Sequence, residues 1–177
     1  MNSKTIDEVF ERNAAAGEAL KQMIGSLPAE KCSQLPDGEK WTIAGIVEHV
    51  ALVEMNMIRI CARLLSKAEA EDRQADGRIA ISESFGLKAA EIAAIKLEAP
   101  EVVHPTGEKT IDESLAKFEE NWQSLLELKS AFEKYDSNEH RYPHPFLGDL
   151  SAGEWLTLIG GHKLRHMKQI ENLAERI

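Results

Sequence analysis

Four stretches of this chain repeat apolar residues at the three- and four-residue spacing of an α-helix, and none reads as a good strand. The first stretch, residues 4–27, sets Val9, Leu20, Ile24 and Leu27 at near-helical spacing and ends at "LPAEK". The second runs from Thr42 to about Lys67. Its apolar set (Ile43, Ile46, Val47, Val50, Leu52 and Val53) is wide enough to be covered on more than one side. The third begins at Thr110, where Thr110 and Glu113 form a capping box, and continues through Leu115, Phe118, Trp122, Leu125, Leu126 and Leu128. A second box, Ser151 with Glu154, opens the fourth helix, from Ala152 to Glu175.

The intervening segments read differently. Residues 28–40 carry two prolines and the turn signal "PDGEK". Residues 69–83 are charged and aperiodic, a loop or a frayed helix end. "FGLKAAEIAAIKLEAP" is a short helix stopped by Pro100, "VVHPTGEKT" a linker, and "SNEHRYPHPFLGDL" a connection. These elements predict an all-α protein, a four-helix bundle occupying 1–177 as one domain. A long crossover connection, roughly 69–109, joins the second and third long helices.

At 177 residues and 43% hydrophobic, the chain can bury a core without disulfides. Its net charge of −9 argues against a nucleic-acid surface, which needs clustered cations. Cys32 and Cys61 have no metal-finger spacing and read as reduced thiols. The polar N-terminus "MNSKTIDEVFERN" is not a secretory signal, and no apolar run approaches the ~18–20 residues that span a bilayer. A cytoplasmic protein without membrane or nucleic-acid partners is expected.

The chemistry concentrates in "GGHKLRHMKQI". Residues four apart on a helix stand about 40° apart, so His162 and His166 share a face with Trp155, Ile159, Gln169 and Ile170. Lys163 and Arg165 fall about 80° to either side, at the edges of that face. Two neutral imidazoles on a buried face need hydrogen-bond partners, and two cations there would repel. A divalent metal removes both difficulties, yet a hydrogen-bonded structural pair reads equally well. A zincin general base is not encoded, because Lys163 follows His162. A metal needs a third ligand. His49 lies on an inward stripe of the second helix with Ile46, Val53 and Asn56. His140 and His144 are rivals in a Pro- and Gly-rich loop, where the alternative reading is that His144 shapes the loop or donates a hydrogen bond. His104 reads as a linker residue. Cys61 and Glu54 stand about 120° and 140° round the helix from His49 and are poor co-ligands.

Two motifs match together. "WTIAGIVEHVALVE" at 41–54 resembles the W-S/T-x-x-x-I/V-x-x-H pattern of the DinB/YfiT-like metalloenzyme superfamily. "HPFLGDLSAGEWLTLIGGHKLRHMKQI" at 144–170 resembles that superfamily's closing H-P-x-x-G-x-L, E-W and H-x-x-R-H-x-x-Q-I motif. The resemblance implies a four-helix bundle, often a homodimer, that binds a divalent metal through His49, His162 and His166. Zinc or nickel suits three imidazole nitrogens. Members of the superfamily include transferases and isomerases that use low-molecular-weight thiols. The resemblance therefore implies a thiol-dependent transferase acting on small electrophiles. A metal-assisted hydrolase and a non-catalytic, stress-linked metal-binding dimer stay open beside it. Arg165, Asn56 and Gln169 lie close enough to the histidines to line a pocket or to support it by packing and hydrogen bonds. Trp41 and Trp155 match motif positions and read as packing residues.

Overall fold

The computed structural model describes residues 2–93, 95 and 97–177. The elements are, in order, β1 (Asn2–Thr5), α1 (Ile6–Gly25), α2 (Ala29–Ser33), α3 (Ile43–Ala70), β2 (Arg78–Ile81) and α4 (Glu83–Ala93). A 3-10 turn at Glu101–Val103 follows, then α5 (Ile111–Glu127), α6 (Lys129–Lys134), β3 (Arg141–His144), β4 (Gly148–Ser151) and α7 (Ala152–Ala174). The four long helices α1, α3, α5 and α7 form the bundle, and the connection between α3 and α5 carries β2, α4 and the 3-10 turn. α3 packs between α5 and α7, and α1 packs chiefly on α7.

Both boxes expected at the helix starts form. Glu113 N–H donates to Thr110 Oγ1 at 3.1 Å, and Glu154 N–H to Ser151 Oγ at 3.2 Å. A third, Thr5 with Glu8, starts α1 at Ile6 rather than at residue 4. Two short strand pairs, which the sequence did not show, are added to the all-α bundle. β1 pairs antiparallel with β2, inside the segment read as loop, and β3 with β4, inside the segment read as a connection. Each is four residues long, too short to display a period of two. The β3–β4 turn ends at Gly148, whose φ of +82° suits a residue without a Cβ.

Glu154 does more than cap α7. Its fully buried carboxylate also accepts from Ser82 N–H at 3.0 Å, Ser82 Oγ at 2.5 Å and Arg141 Nη1 at 3.0 Å. Burial alone would raise its pKa, but these hydrogen bonds and the Arg141 charge hold it below the ordinary value. One carboxylate thereby ties β2, β3 and α7 together.

The apolar core is divided along the bundle. One cluster joins Val9, Phe10, Met57, Cys61, Leu64, Leu125, Phe132, Trp155, Leu156 and Ile159. The other joins Leu20, Ile24, Ile43, Ile46, Val47, Val50, Phe118, Ile170 and Leu173. Between them lies a layer of buried polar residues to which every long helix contributes: Asn13 from α1, Glu54 from α3, Asn121 from α5 and Lys163 from α7. Asn13 Nδ2 donates to Leu156 O at 3.0 Å and Asn121 Nδ2 to Ala51 O at 2.9 Å. Lys163, only 4% exposed, meets Glu54, 2% exposed, at 2.5 Å. Lys163 is therefore inside the bundle and not at the edge of the histidine face. α7 packs on α1 as well as α3, which widens its buried arc beyond the histidine stripe.

Candidate metal centre

The three candidate ligands come together where α3 meets α7. Thr42 caps α3, its Oγ1 accepting from Gly45 N–H at 3.0 Å, and this fixes the start of the helix that carries His49. His162 and His166 follow from the Ser151 cap on α7. The ring centroids of His49 lie 5.4 Å from His162 and 5.0 Å from His166, and those of the α7 pair lie 4.4 Å apart. One ligating atom from each of the three falls within 4.8 Å of the other two, the one such grouping among the described residues.

The outer nitrogens show which atoms face inward. His49 Nδ1 stands 2.7 Å from Val103 O, so it carries the proton and donates, leaving Nε2 with a free lone pair. His166 Nδ1 stands 2.9 Å from Gln169 Oε1 and is set the same way. His162 Nε2 lies 3.1 Å from His166 Nε2. Two imidazole nitrogens sharing one tetrahedral zinc stand roughly 3.3 Å apart, so this spacing suits a common ion. Neutral ligands also fit. Burial and the nearby charge of His49 bring His166 down to about 3. Burial, then His166 and His49, hold His162 far below the ordinary histidine range, and burial lowers His49. All three rings are uncharged at neutral pH, and His49 and His166 each keep their one proton on the outer Nδ1, away from the shared point.

The remaining candidates take other roles. His144 does not join the cluster. Its Nδ1 accepts from Phe146 N–H at 3.1 Å and Leu147 N–H at 3.2 Å, which shapes the β3–β4 turn, and its ring rests 5.2 Å from that of Trp155. His140 pairs with Glu71 at 3.2 Å. His104 bonds Ala99 O at 2.8 Å and packs edge-on against Trp41, which in turn lies 4.9 Å from His49. Arg165 donates to the α4 carbonyl of Ile92 at 2.6 Å and to Ile95 O at 3.2 Å, so it anchors α4 beside the histidines. Glu54 faces Lys163 and Cys61 is fully buried, its thiol pushed up in pKa by burial. Asn56 is half-buried, with no assigned contact to the histidines.

Sequence reasoning missed Glu48. Its carboxylate accepts from Thr106 N–H, Thr106 Oγ1 and Gly107 N–H at 2.9, 2.7 and 3.1 Å. An acidic residue inside the apolar run preceding His49 is the signal that could have found it.

Fold and site together define a helical bundle with a cluster of three neutral histidines from two of its long helices, His49 and His166 buried and His162 half-buried. The chain belongs to the DinB superfamily, whose model matches residues 12–170. It is similar to the uncharacterized protein YuaE of Bacillus subtilis (strain 168), 25% identical over 165 residues, covering 93% of this chain and 96% of YuaE. The crystal structure of TT2238, a four-helix bundle protein, has the same fold. Its TM-score is 0.63 at 24% identity, covering 95% of this chain and 99% of that one. No helix among the described residues is long and apolar enough to cross a membrane.

Proposed function

We propose that His49, His162 and His166 bind one divalent metal ion, zinc or nickel, and that the protein is a metal-dependent transferase joining a low-molecular-weight thiol to a small electrophile. The observation that carries the metal assignment is the pair of fixed outer nitrogens. His49 Nδ1 on Val103 O and His166 Nδ1 on Gln169 Oε1 commit both Nε2 lone pairs to the shared point. Three protein ligands leave a coordination position open. A metal there supplies a Lewis-acidic centre at which the pKa of a bound thiol falls.

The charges around the histidines support a thiolate as the nucleophile. No carboxylate belongs to the cluster among the described residues, so the first ligands are all neutral nitrogens. Arg165 adds positive potential felt by all three histidines, which favours an anionic reactant. The protein's own contribution is to hold three neutral ligands and to present that positive field.

Metal analysis of protein purified without chelator or nickel resin tests the first half. One equivalent of metal is expected, with most of it lost in His49→Ala and His166→Ala while helical circular dichroism is kept. Retention of full stoichiometry in His49→Ala would refute the ligand set. Thiol-dependent consumption of a chromogenic electrophile tests the second half. Turnover of esters or amides without thiol would replace it by a hydrolase, and metal binding with neither activity by a binding protein. The homodimer and the small-molecule substrate implied by the family resemblance belong to the same proposal.

A further inference from the structure

The connection between α3 and α5 reaches back to the histidines through a residue that touches none of them. Glu48 and His49 are neighbours on α3, about 100° apart, so they address different surroundings. Glu48 is buried although it is charged. Its three partners lie nearly sixty residues away, in the turn that follows Val103. Successive N–H groups of Thr106 and Gly107 converge on the carboxylate as in an anion-binding nest, and Gly107 takes the left-handed φ of +75°. The same segment also lies against α3 one turn earlier: Pro105 Cγ would be in ordinary contact, at 3.5 Å, with a Cβ at Gly45. Upstream, the 3-10 turn at Glu101–Val103 is closed by His104 N–H donating to Glu101 O at 3.0 Å. The Val103 carbonyl meets His49 Nδ1.

We propose that Glu48 is a positioning residue: by locking the Thr106–Gly107 turn onto α3 it fixes the Val103 carbonyl that orients His49. This rests on the metal reading above for its consequence but not for its geometry. The bonds to Glu48, at 2.7–3.1 Å, all end on one carboxylate. The bond they secure selects the Nδ1–H tautomer of His49 and leaves Nε2 free. Without the carboxylate the Thr106 and Gly107 N–H groups turn to water, the Val103 carbonyl loses its fixed place, and the imidazole is free to rotate and to exchange tautomers. Coupling is reciprocal, so a metal that selects the oriented ring also stabilises the 103–107 turn by the same factor.

The test uses the full chain, metal-free and then with Zn²⁺ alone as probe. Glu48→Ala removes every acceptor. Glu48→Gln keeps one oxygen for Thr106 and turns a donor on Gly107. Zinc affinity, measured by competition with a chromophoric chelator, is expected to fall about 10–100-fold in Glu48→Ala and less in Glu48→Gln. Glu108→Ala, a change at an exposed residue of the same connection, leaves it unaltered. The readout that mere loosening would not move is the nitrogen spectrum of the histidines in metal-free protein. The wild type shows a single Nδ1–H tautomer at His49, and both Glu48 variants show a mixture there while the His166 signals stay put. In the wild type, zinc slows amide exchange at Thr106 and Gly107. Affinities within twofold of wild type in both variants overturn the proposal, as does an unchanged His49 tautomer. If Glu48→Ala does not fold, Glu48→Gln and the wild-type exchange data decide. If the wild type binds no zinc, the metal reading fails by itself, and the tautomer measurement still judges the role of Glu48.

Discussion

Replacing Lys163 by Met removes the counter-charge of a carboxylate that has almost no access to water. Glu54 is 2% exposed, its Oε1 rests on Lys163 Nζ at 2.5 Å, and its Oε2 is buried with no hydrogen-bond partner among the described residues. Taking one member from such a pair costs about 3–5 kcal/mol, most of it the desolvation of the charge left behind. With a urea slope of about 2 kcal/mol/M, the midpoint of metal-free Lys163→Met falls by about 1.5–2.5 M at pH 7.5. The double variant Glu54→Leu/Lys163→Met leaves no charge buried and recovers wild-type stability or exceeds it by about 1–4 kcal/mol. The pH dependence gives an independent check. Burial already raises the Glu54 pKa above 4.5, and attraction to Lys163 opposes that rise. In the single variant the larger part of that opposition is gone and only the Asn121 side chain still acts against the rise, so the folded state holds a proton that the unfolded chain releases. The deficit is therefore greatest at neutral pH and shrinks as pH falls from the raised folded pKa towards 4.5. Equilibrium urea curves at several pH values measure both effects. A single variant that loses less than about 1 kcal/mol, with no pH dependence, would refute the claim of an ionised buried pair.

Three further predictions follow from the same geometry. The metal-free protein loses stability as pH falls below about 6.5, because the unfolded chain protonates histidines that stay neutral in the fold, His166 down to about 3 and His144 to about 4. Thermal melts from pH 7.5 to 4.5 should show the loss still growing at the acid end, because that range lies above both folded values. Gly160→Ala puts a Cβ 2.7 Å from Asn13 Oδ1 where α1 crosses α7, and costs about 1–3 kcal/mol in urea unfolding; Gly161→Ala, with nothing within 4 Å, stabilises α7 instead. Arg165→Ala frees the Ile92 and Ile95 carbonyls, costs about 1–2 kcal/mol, and speeds amide exchange in α4 above that in α7.

The four long helices were legible because each carries a repeating apolar stripe over many turns, and two starts were marked by capping boxes that formed as expected. The meeting of His49 with His162 and His166 was legible from two inward stripes and from the motifs that hold them. The short strands were not, since four residues carry no period and their pairing is decided by distant partners such as Ile79 and Lys4. The burial of Lys163 was hidden because a helical wheel drawn on one stripe assumes one neighbour, whereas α7 has two. Its signal was present nonetheless. Asn13, Glu54, Asn121 and Lys163 each stand at a core position of an otherwise apolar stripe, as with Asn121 between Phe118 and Leu125. Glu48 was hidden for another reason: its partners lie in a connection without periodicity, and only the fold brings Thr106 and Gly107 to it.

The layer of Asn13, Glu54, Asn121 and Lys163 also bears on how finely the histidines are aligned. Two apolar clusters built of similar side chains would tolerate one helix sliding past another by a turn. A slide of α3 against α7 would carry Glu54 and Lys163 into hydrocarbon on opposite sides, each ionised and alone. The pair therefore acts as a detent on axial travel. It sits beside His162 in sequence and five residues from His49 on α3, so the same stop that sets the register of the two helices sets the gap between their imidazoles.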